Sequence, residues 1–202
     1  MIQLTVETDA GVFDATTFAD QISISGDYQS ISRVLEFGLL TNSVDRAIPM
    51  IDCSLGAKVV LSLDGAVLFR GKIFTRTRKA GESLVSITAI DDGIRLNRNQ
   101  GAYKVENMTP EAMVRRICAD YGFTPGEIAE TGVKLNRKFL CVSLKDMIQT
   151  LYTKASEQTG KKYVVRFDDG KLCVVERSRN VVCTLTGDYN LQSASMTESE
   201  RT

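Results

Sequence analysis

The sequence has no histidine, no tryptophan, only three prolines and no net charge. Without histidine the chain cannot run serine or cysteine chemistry on an imidazole base, and it lacks the commonest transition-metal ligand. Lysine plus arginine equals aspartate plus glutamate at 25 each, which removes the long-range field that draws a whole surface to nucleic acid or to an anionic membrane. A single charged face toward a channel is still compatible with that average. The five cysteines, Cys53, Cys118, Cys141, Cys173 and Cys183, contain no CxxC pair, and an odd number cannot close completely into intramolecular disulfides. No apolar run approaches membrane-spanning length, and Met1 to Thr8 has neither the basic start nor the apolar stretch of a signal peptide. The expected setting is the reducing cytosol, with most cysteines held as buried thiols.

What is present is strand periodicity. Ile2 to Glu7, Gln21 to Ser25 and Arg33 to Thr41 alternate apolar and polar residues, separated by Gly, Asp and Asn. Lys58 to Gly71 reads as a hairpin, because Asp64-Gly65 supplies the two positive φ angles of a two-residue turn. Ser83 to Asp91 is its returning partner. Sequential hairpins of this kind close readily into an antiparallel barrel or sandwich, so residues 1–100 are expected to form a β-barrel.

The period changes near residue 101. Thr109-Pro110-Glu111 offers an N-cap, a first-turn proline and an acid, ahead of an apolar stripe of Met113, Val114, Ile117 and Tyr121 that Gly122 ends. Thr124 to Glu127 has capping-box spacing and predicts a short helical turn around Ile128, stopped at Gly132. Ser143 and Asp146 open a further helix through Ala155 to Gly160. A second hairpin turns at Asp168-Asp169-Gly170, completing an α+β unit over 101–180. Val181 to Thr186 reads as one more strand with no visible partner downstream, which suggests that 181–202 begins another barrel and is cut short.

Candidate chemistry is sparse. Asp91-Asp92 ends a strand before Gly93, where acids form turns, and no base or metal ligand supports it. Cys118 and Cys173 read as small core hydrophobes. Lys161-Lys162 and Arg76 to Lys79 lack the interleaved aromatics of a nucleic-acid site and read as solvated ends. Asn107-Met108-Thr109 reads as the approach to a helix cap, not as a glycosylation site. No catalytic, cofactor-binding or metal residue is assigned. The anomaly is strands apolar on both faces. With Leu35, Phe37 and Leu39 inside, Val34 and Leu40 point out; with Val67, Phe69 and Ile73 inside, so do Leu68 and Phe74. These four are candidates for contacts between subunits or domains, with cover by the helical unit as the alternative.

The order of Gly26 to Phe37, Leu68-Phe69-Arg70-Gly71, Thr88 to Asp91 with Leu96-Asn97, Thr109 to Ala112, Ile117 to Gly122, Ile128 to Gly132 and Ala155 to Tyr163 resembles the baseplate hub proteins of contractile phage tails, particularly defective-prophage members. The resemblance implies a tail-tube-like β-barrel over 1–100, an α+β domain over 101–180 and the start of a second barrel over 181–202. It further implies a homotrimeric ring in the full-length protein, between a tail tube protein and a central spike protein. DNA would pass through without specific binding, with no membrane partner, and the protein would be assembled in the bacterial cytoplasm before joining a virion or tail-like bacteriocin. A small-molecule or glycan-binding β-barrel module is the alternative, and a wall-degrading enzyme a third reading. A binding barrel needs aromatics converging on a cavity, whereas those here are scattered. A hydrolase needs an acid/base pair that this sequence does not assemble. The chain is therefore expected to leave purified cell wall intact; turnover abolished by one Asp or Glu substitution would overturn that.

Overall fold

The computed structural model describes residues 1–9, 11–26, 31–40, 51, 53–79 and 83–177. The expected strand over 181–186, the proposed start of a second barrel and Cys183 lie outside the described residues. Seven strands form one antiparallel sheet: β1 (Ile2–Thr8), β2 (Gly11–Asp14), β3 (Ala19–Gly26), β4 (Arg33–Leu40), β5 (Lys58–Leu63), β6 (Ala66–Arg78) and β7 (Leu84–Ile90). Their order is β2-β1-β5-β6-β7-β4-β3. A single 3₁₀ turn, Thr16–Phe18, links β2 to β3.

The expected barrel is not closed. Among the described residues β2 and β3 are the two margins of the sheet and do not pair with each other. Alternation specifies which residues face inward along each strand, but closure depends on the first and last strands meeting, and β2 is only four residues long. The curled inner face nevertheless makes a core of Leu4, Val6, Leu35, Phe37, Leu39, Val59, Leu61, Phe69, Ile73 and Ile87, all buried. Asp64 and Gly65 both have positive φ, 50° and 84°, as the two-residue hairpin turn requires.

Helix α1 (Gly93–Arg98) follows β7 directly, and leads into a two-stranded ribbon of β8 (Gln100–Met108) and β10 (Leu135–Ser143). Helix α2 (Pro110–Tyr121) starts where expected: Thr109 Oγ1 accepts from the Ala112 amide, and Gly122 ends the helix at φ 67°. Helix α3 (Leu144–Thr159) is capped by Ser143, whose Oγ accepts from the Asp146 amide, and stops at Gly160. The hairpin β11 (Tyr163–Asp168) and β12 (Lys171–Glu176) turns on Asp169 and Gly170, both at positive φ.

The expected helical turn after Thr124 is instead strand β9 (Thr124–Ile128), parallel to β12. The register with Leu172 and Val174 overrides the local capping-box signal, and Pro125, which has no N–H to give, is tolerated because β9 is a margin of its three-stranded sheet. Met113, Val114, Ile117, Met147, Ile148, Leu151, Phe167 and Leu172 fill a second core, with Cys118 buried among them and its thiol pushed up to about 11 by that burial. Glu111, buried in the first turn of α2, accepts from Thr131 Oγ1 at 2.9 Å and the Gly132 amide at 3.3 Å, pinning the connection after β9. Burial pushes its carboxyl up, but the hydrogen bonds outweigh that and hold it below the usual glutamate range.

The tightest point of the first core is Gly71, where an added Cβ would lie 2.5 Å from the Ile90 carbonyl oxygen and 2.6 Å from the Phe69 ring. Gly71→Ala is expected to lower unfolding stability by about 1–3 kcal/mol, read as a shift in the denaturant midpoint; an unshifted midpoint would show that β6 and β7 separate freely there.

Candidate assembly interface

Two of the four outward apolar positions sit in β-bulges. Leu61 is in register with Phe69 but Ser62 with Val67, leaving Leu68 as the extra residue on β6. Ile73 is in register with Ala89 but Thr75 with Thr88, leaving Phe74 as a second extra residue on the same strand. A bulge breaks the period of two and re-aims a side chain. Leu68 is 38% and Phe74 47% exposed.

Phe74 is not bare: the Arg98 guanidinium of α1 lies 5.0 Å from its ring centroid. Cover by the helical unit, one of the two readings drawn from the sequence, therefore applies in part to this residue. Val34, half-buried, is in register with Ile90 on β7. Leu40, 38% exposed, stands opposite Leu84. It is six residues from Val34, about 20 Å along the strand, and Leu68 is as many residues from Phe74 on β6, so the four positions do not form one patch.

The bulge at Leu68 does a second thing that sequence reading missed. Its carbonyl accepts from Arg33 Nη1 at 3.0 Å, while Arg33 Nη2 donates to the carbonyl of Phe167 at 2.8 Å. One guanidinium thus ties the first sheet to the second core. It is oriented by Asp91, which is 2% exposed. One Asp91 oxygen, Oδ2, accepts from the Arg33 amide at 3.0 Å and lies 3.6 Å from Arg33 Nε; the other, Oδ1, accepts from the Gly93 amide at 3.0 Å. Asp91 is thus a turn former, as expected, and also the anchor of the junction.

Burial pushes the Asp91 carboxyl above the usual aspartate range, and the two amides and the guanidinium pull it only part of the way back. Gly93 has no room for a side chain: a Cβ would lie 2.8 Å from Asp91 Oδ1 and 2.9 Å from the Ile31 carbonyl. Ile31 itself, just before β4, is buried in the second core. At the rim Arg70 Nε donates to Asp169 Oδ1 at 2.7 Å, joining β6 to the β11–β12 turn. Arg95 of α1 completes the joint from the other side, stacking 4.5 Å from the Phe123 centroid and donating to the Tyr121 carbonyl. Among the described residues no group of three or more His, Cys, Asp or Glu is placed to hold a metal ion, and no helix is long and apolar enough to cross a membrane.

A family model described as YQBQ-like matches residues 22–200, most of the sequence. The chain belongs to the YQBQ-like family. Among relatives, this YQBQ-like chain is 28% identical over 174 residues to the phage-like element PBSX protein XkdQ of Bacillus subtilis, and 26% identical over 174 residues to the B. subtilis protein YqbQ. Each alignment covers 85% of this chain and 52% of the relative, so the chain spans about half the length of the curated relatives it matches. Two solved structures share the fold. The prophage MuSo2 43 kDa tail protein from Shewanella oneidensis superposes with a TM-score of 0.63 at 12% identity, over 85% of this chain and 54% of the other. A tail protein from Neisseria meningitidis superposes with a TM-score of 0.62 at 13% identity, over 86% and 50%. The YQBQ-like chain thus has the fold of these tail proteins.

Hydrogen bonds to charged groups contribute about 1.5–3 kcal/mol each, so Arg33→Ala is expected to destabilise by roughly 2–4 kcal/mol. Arg33→Lys should not restore it, since an ammonium cannot span the same fork of acceptors. Asp91 gives a pH signature. Its raised pKa means that the native state binds more protons than the unfolded chain just above the ordinary aspartate value, so its contribution falls as pH rises through that window and then levels. Asp91→Asn should remove this part of the slope in denaturant midpoints taken over about pH 4 to 7. A wild-type slope unchanged by the substitution would assign the titration elsewhere.

Proposed function

We propose that this chain is a structural component of a phage or phage-tail-like particle, working in the baseplate hub of a contractile tail. There the complete protein forms a trimeric ring between the tail tube protein and the central spike protein. The observation that carries the reading is the fold shared with two tail proteins, one of them from a prophage, across about 85% of the chain. A relative from the phage-like element PBSX supports the particle setting. The residue order that resembles hub proteins supports the finer position. In this reading the protein is not an enzyme, is assembled in the bacterial cytoplasm, is carried in the finished particle, and lets DNA pass through its ring without reading it.

The arrangement of the described residues suits such a role. Two cores are joined by hydrogen bonds to fixed carbonyls, and a ring component needs a fixed angle between the parts that meet its neighbours. The outward side chains then fall into two groups. Phe74, under Arg98, and the half-buried Val34 are engaged within the chain, whereas Leu40 and Leu68 remain available to neighbours.

Burial of one such side chain contributes about 1.5–3 kcal/mol, or roughly ten- to a hundredfold in association. Leu68→Asp and Leu40→Asp in the complete protein are therefore expected to weaken trimers by at least about tenfold while leaving the fold intact. Phe74→Asp is expected to lower stability first. Light scattering with a parallel unfolding curve separates the cases. A complete protein that stays monomeric at high concentration even with its spike partner would sink the ring.

A further inference from the structure

Charge on this neutral chain is sorted by region. Residues 1–32 hold five acids, Glu7, Asp9, Asp14, Asp20 and Asp27, and no lysine or arginine. Residues 66–79 hold five bases, Arg70, Lys72, Arg76, Arg78 and Lys79, and no acid. Glu7 and Asp14 fall on β1 and β2 at one side of the sheet and Asp20 on β3 at the opposite margin, where Glu36 of the neighbouring β4 adds a second acid; the basic stretch is β6.

Beyond Ile73, β6 pairs with β7 alone among the described residues, because the ladder to β5 ends at Lys72. Every residue from Phe74 to Lys79 is exposed. Asp20 is in register with Gly38, Gly38 with Ser86, and Ser86 with Thr77, so the acidic margin and the basic segment stand at one level of the same sheet. Three strand spacings, about 14 Å, separate them, which is beyond the screening length of about 8 Å at physiological ionic strength. Attraction between them within one copy is therefore largely screened. Locally Asp20 meets the Gln21 amide, and Arg76 reaches the Cys53 carbonyl at 3.5 Å; Lys72 and Arg78 make no ion pair among the described residues.

We infer that the acidic β3 margin, Asp20 with Glu36 of β4 behind it, meets the basic outer stretch of β6, Arg76 and Arg78, on a second copy of this chain. The contact is head-to-tail, the kind that generates rings when its rotation closes, and it rests on the assembly role proposed above. Both halves lie at the same level, so lateral apposition of two sheets brings opposite signs together without a vertical shift. Asp20 issues from the outer face, in register with Thr77, and the two arginines from the core-side rows of Ile87 and Val85. The attraction therefore acts around the strand margin at field range and not through one preset ion pair. Ile24, 40% exposed on β3, adds apolar area to the same margin.

The test is a charge swap read by sedimentation velocity. The wild-type chain should associate at high concentration and low salt, and weaken by at least about tenfold between roughly 50 and 500 mM sodium chloride. Asp20→Lys/Glu36→Lys and Arg76→Glu/Arg78→Glu should each stay monomeric alone, with unchanged circular dichroism and melting. Mixed in equal amounts they should associate again, since each then offers the sign the other lacks. A mixture no more associated than its parts, a salt-independent wild type, or a wild type monomeric throughout would overturn the inference. Immunodetection of the wild-type protein in purified tail particles is scored separately. Its absence there, with the swap succeeding, would reject the tail role and keep the contact.

Discussion

The architecture depends on one partly exposed arginine held by one buried carboxylate. Asp91 leaves water at the end of β7, a cost that its ion pair and two amide hydrogen bonds offset only in part. In return Arg33 is held with its fork aimed at two carbonyls from different cores. The two carbonyls differ in setting: Leu68 sits in a bulge, whereas Phe167 is in register with Leu172 near the end of β11. Without the carboxylate the guanidinium has no fixed direction, and the angle between sheet and helices is left to Ile31, Arg70 and the stacking of Arg95 and Arg98.

The two bulges on β6 extend this logic. A regular strand carrying Phe69, Gly71 and Ile73 inward would turn Leu68 and Phe74 outward too, but with their backbone groups held in the ladder. Each added residue instead creates a site where backbone or side chain leaves the pleat. One offers its carbonyl to Arg33, and the other places an aromatic ring beneath Arg98. Both joints are built at irregular positions, because regular ladder groups are already occupied.

Much of this fold was legible in the sequence wherever the signal was local. Asp64-Gly65 and Asp169-Gly170 demanded positive φ angles and have them, and Thr109, Ser143, Gly122 and Gly160 bound their helices as side-chain chemistry dictates. Reading failed where the deciding partner was distant. Thr124 to Glu127 has a helix-start pattern, yet β12 draws it into a strand; β8 and β10 hide their alternation behind bulges marked by positive φ at Asn107 and Cys141. Closure of the first sheet was over-read, because alternation says nothing about whether margins meet. Arg33 was not singled out at all, since its acceptor lies 134 residues away and no spacing announces it. The apolar excess at Leu68 and Phe74 was a real signal, and both residues prove to be the extra members of β-bulges.

The parallel pairing of β9 with β12 has a consequence for how the chain is made. Every strand of the first sheet is contained in residues up to Ile90, so that sheet can close its ladder as soon as those residues have left the ribosome. Strand β9 must wait for α3 and the following hairpin before its partner exists, and Arg33 must wait equally long for Phe167. The roughly 77 residues between Ile90 and Phe167 take about 4 to 15 seconds to synthesise. For that interval the nascent protein is a finished sheet whose buried carboxylate and half-employed guanidinium already stand in position, a docking cradle that the second half of the chain arrives to find prepared.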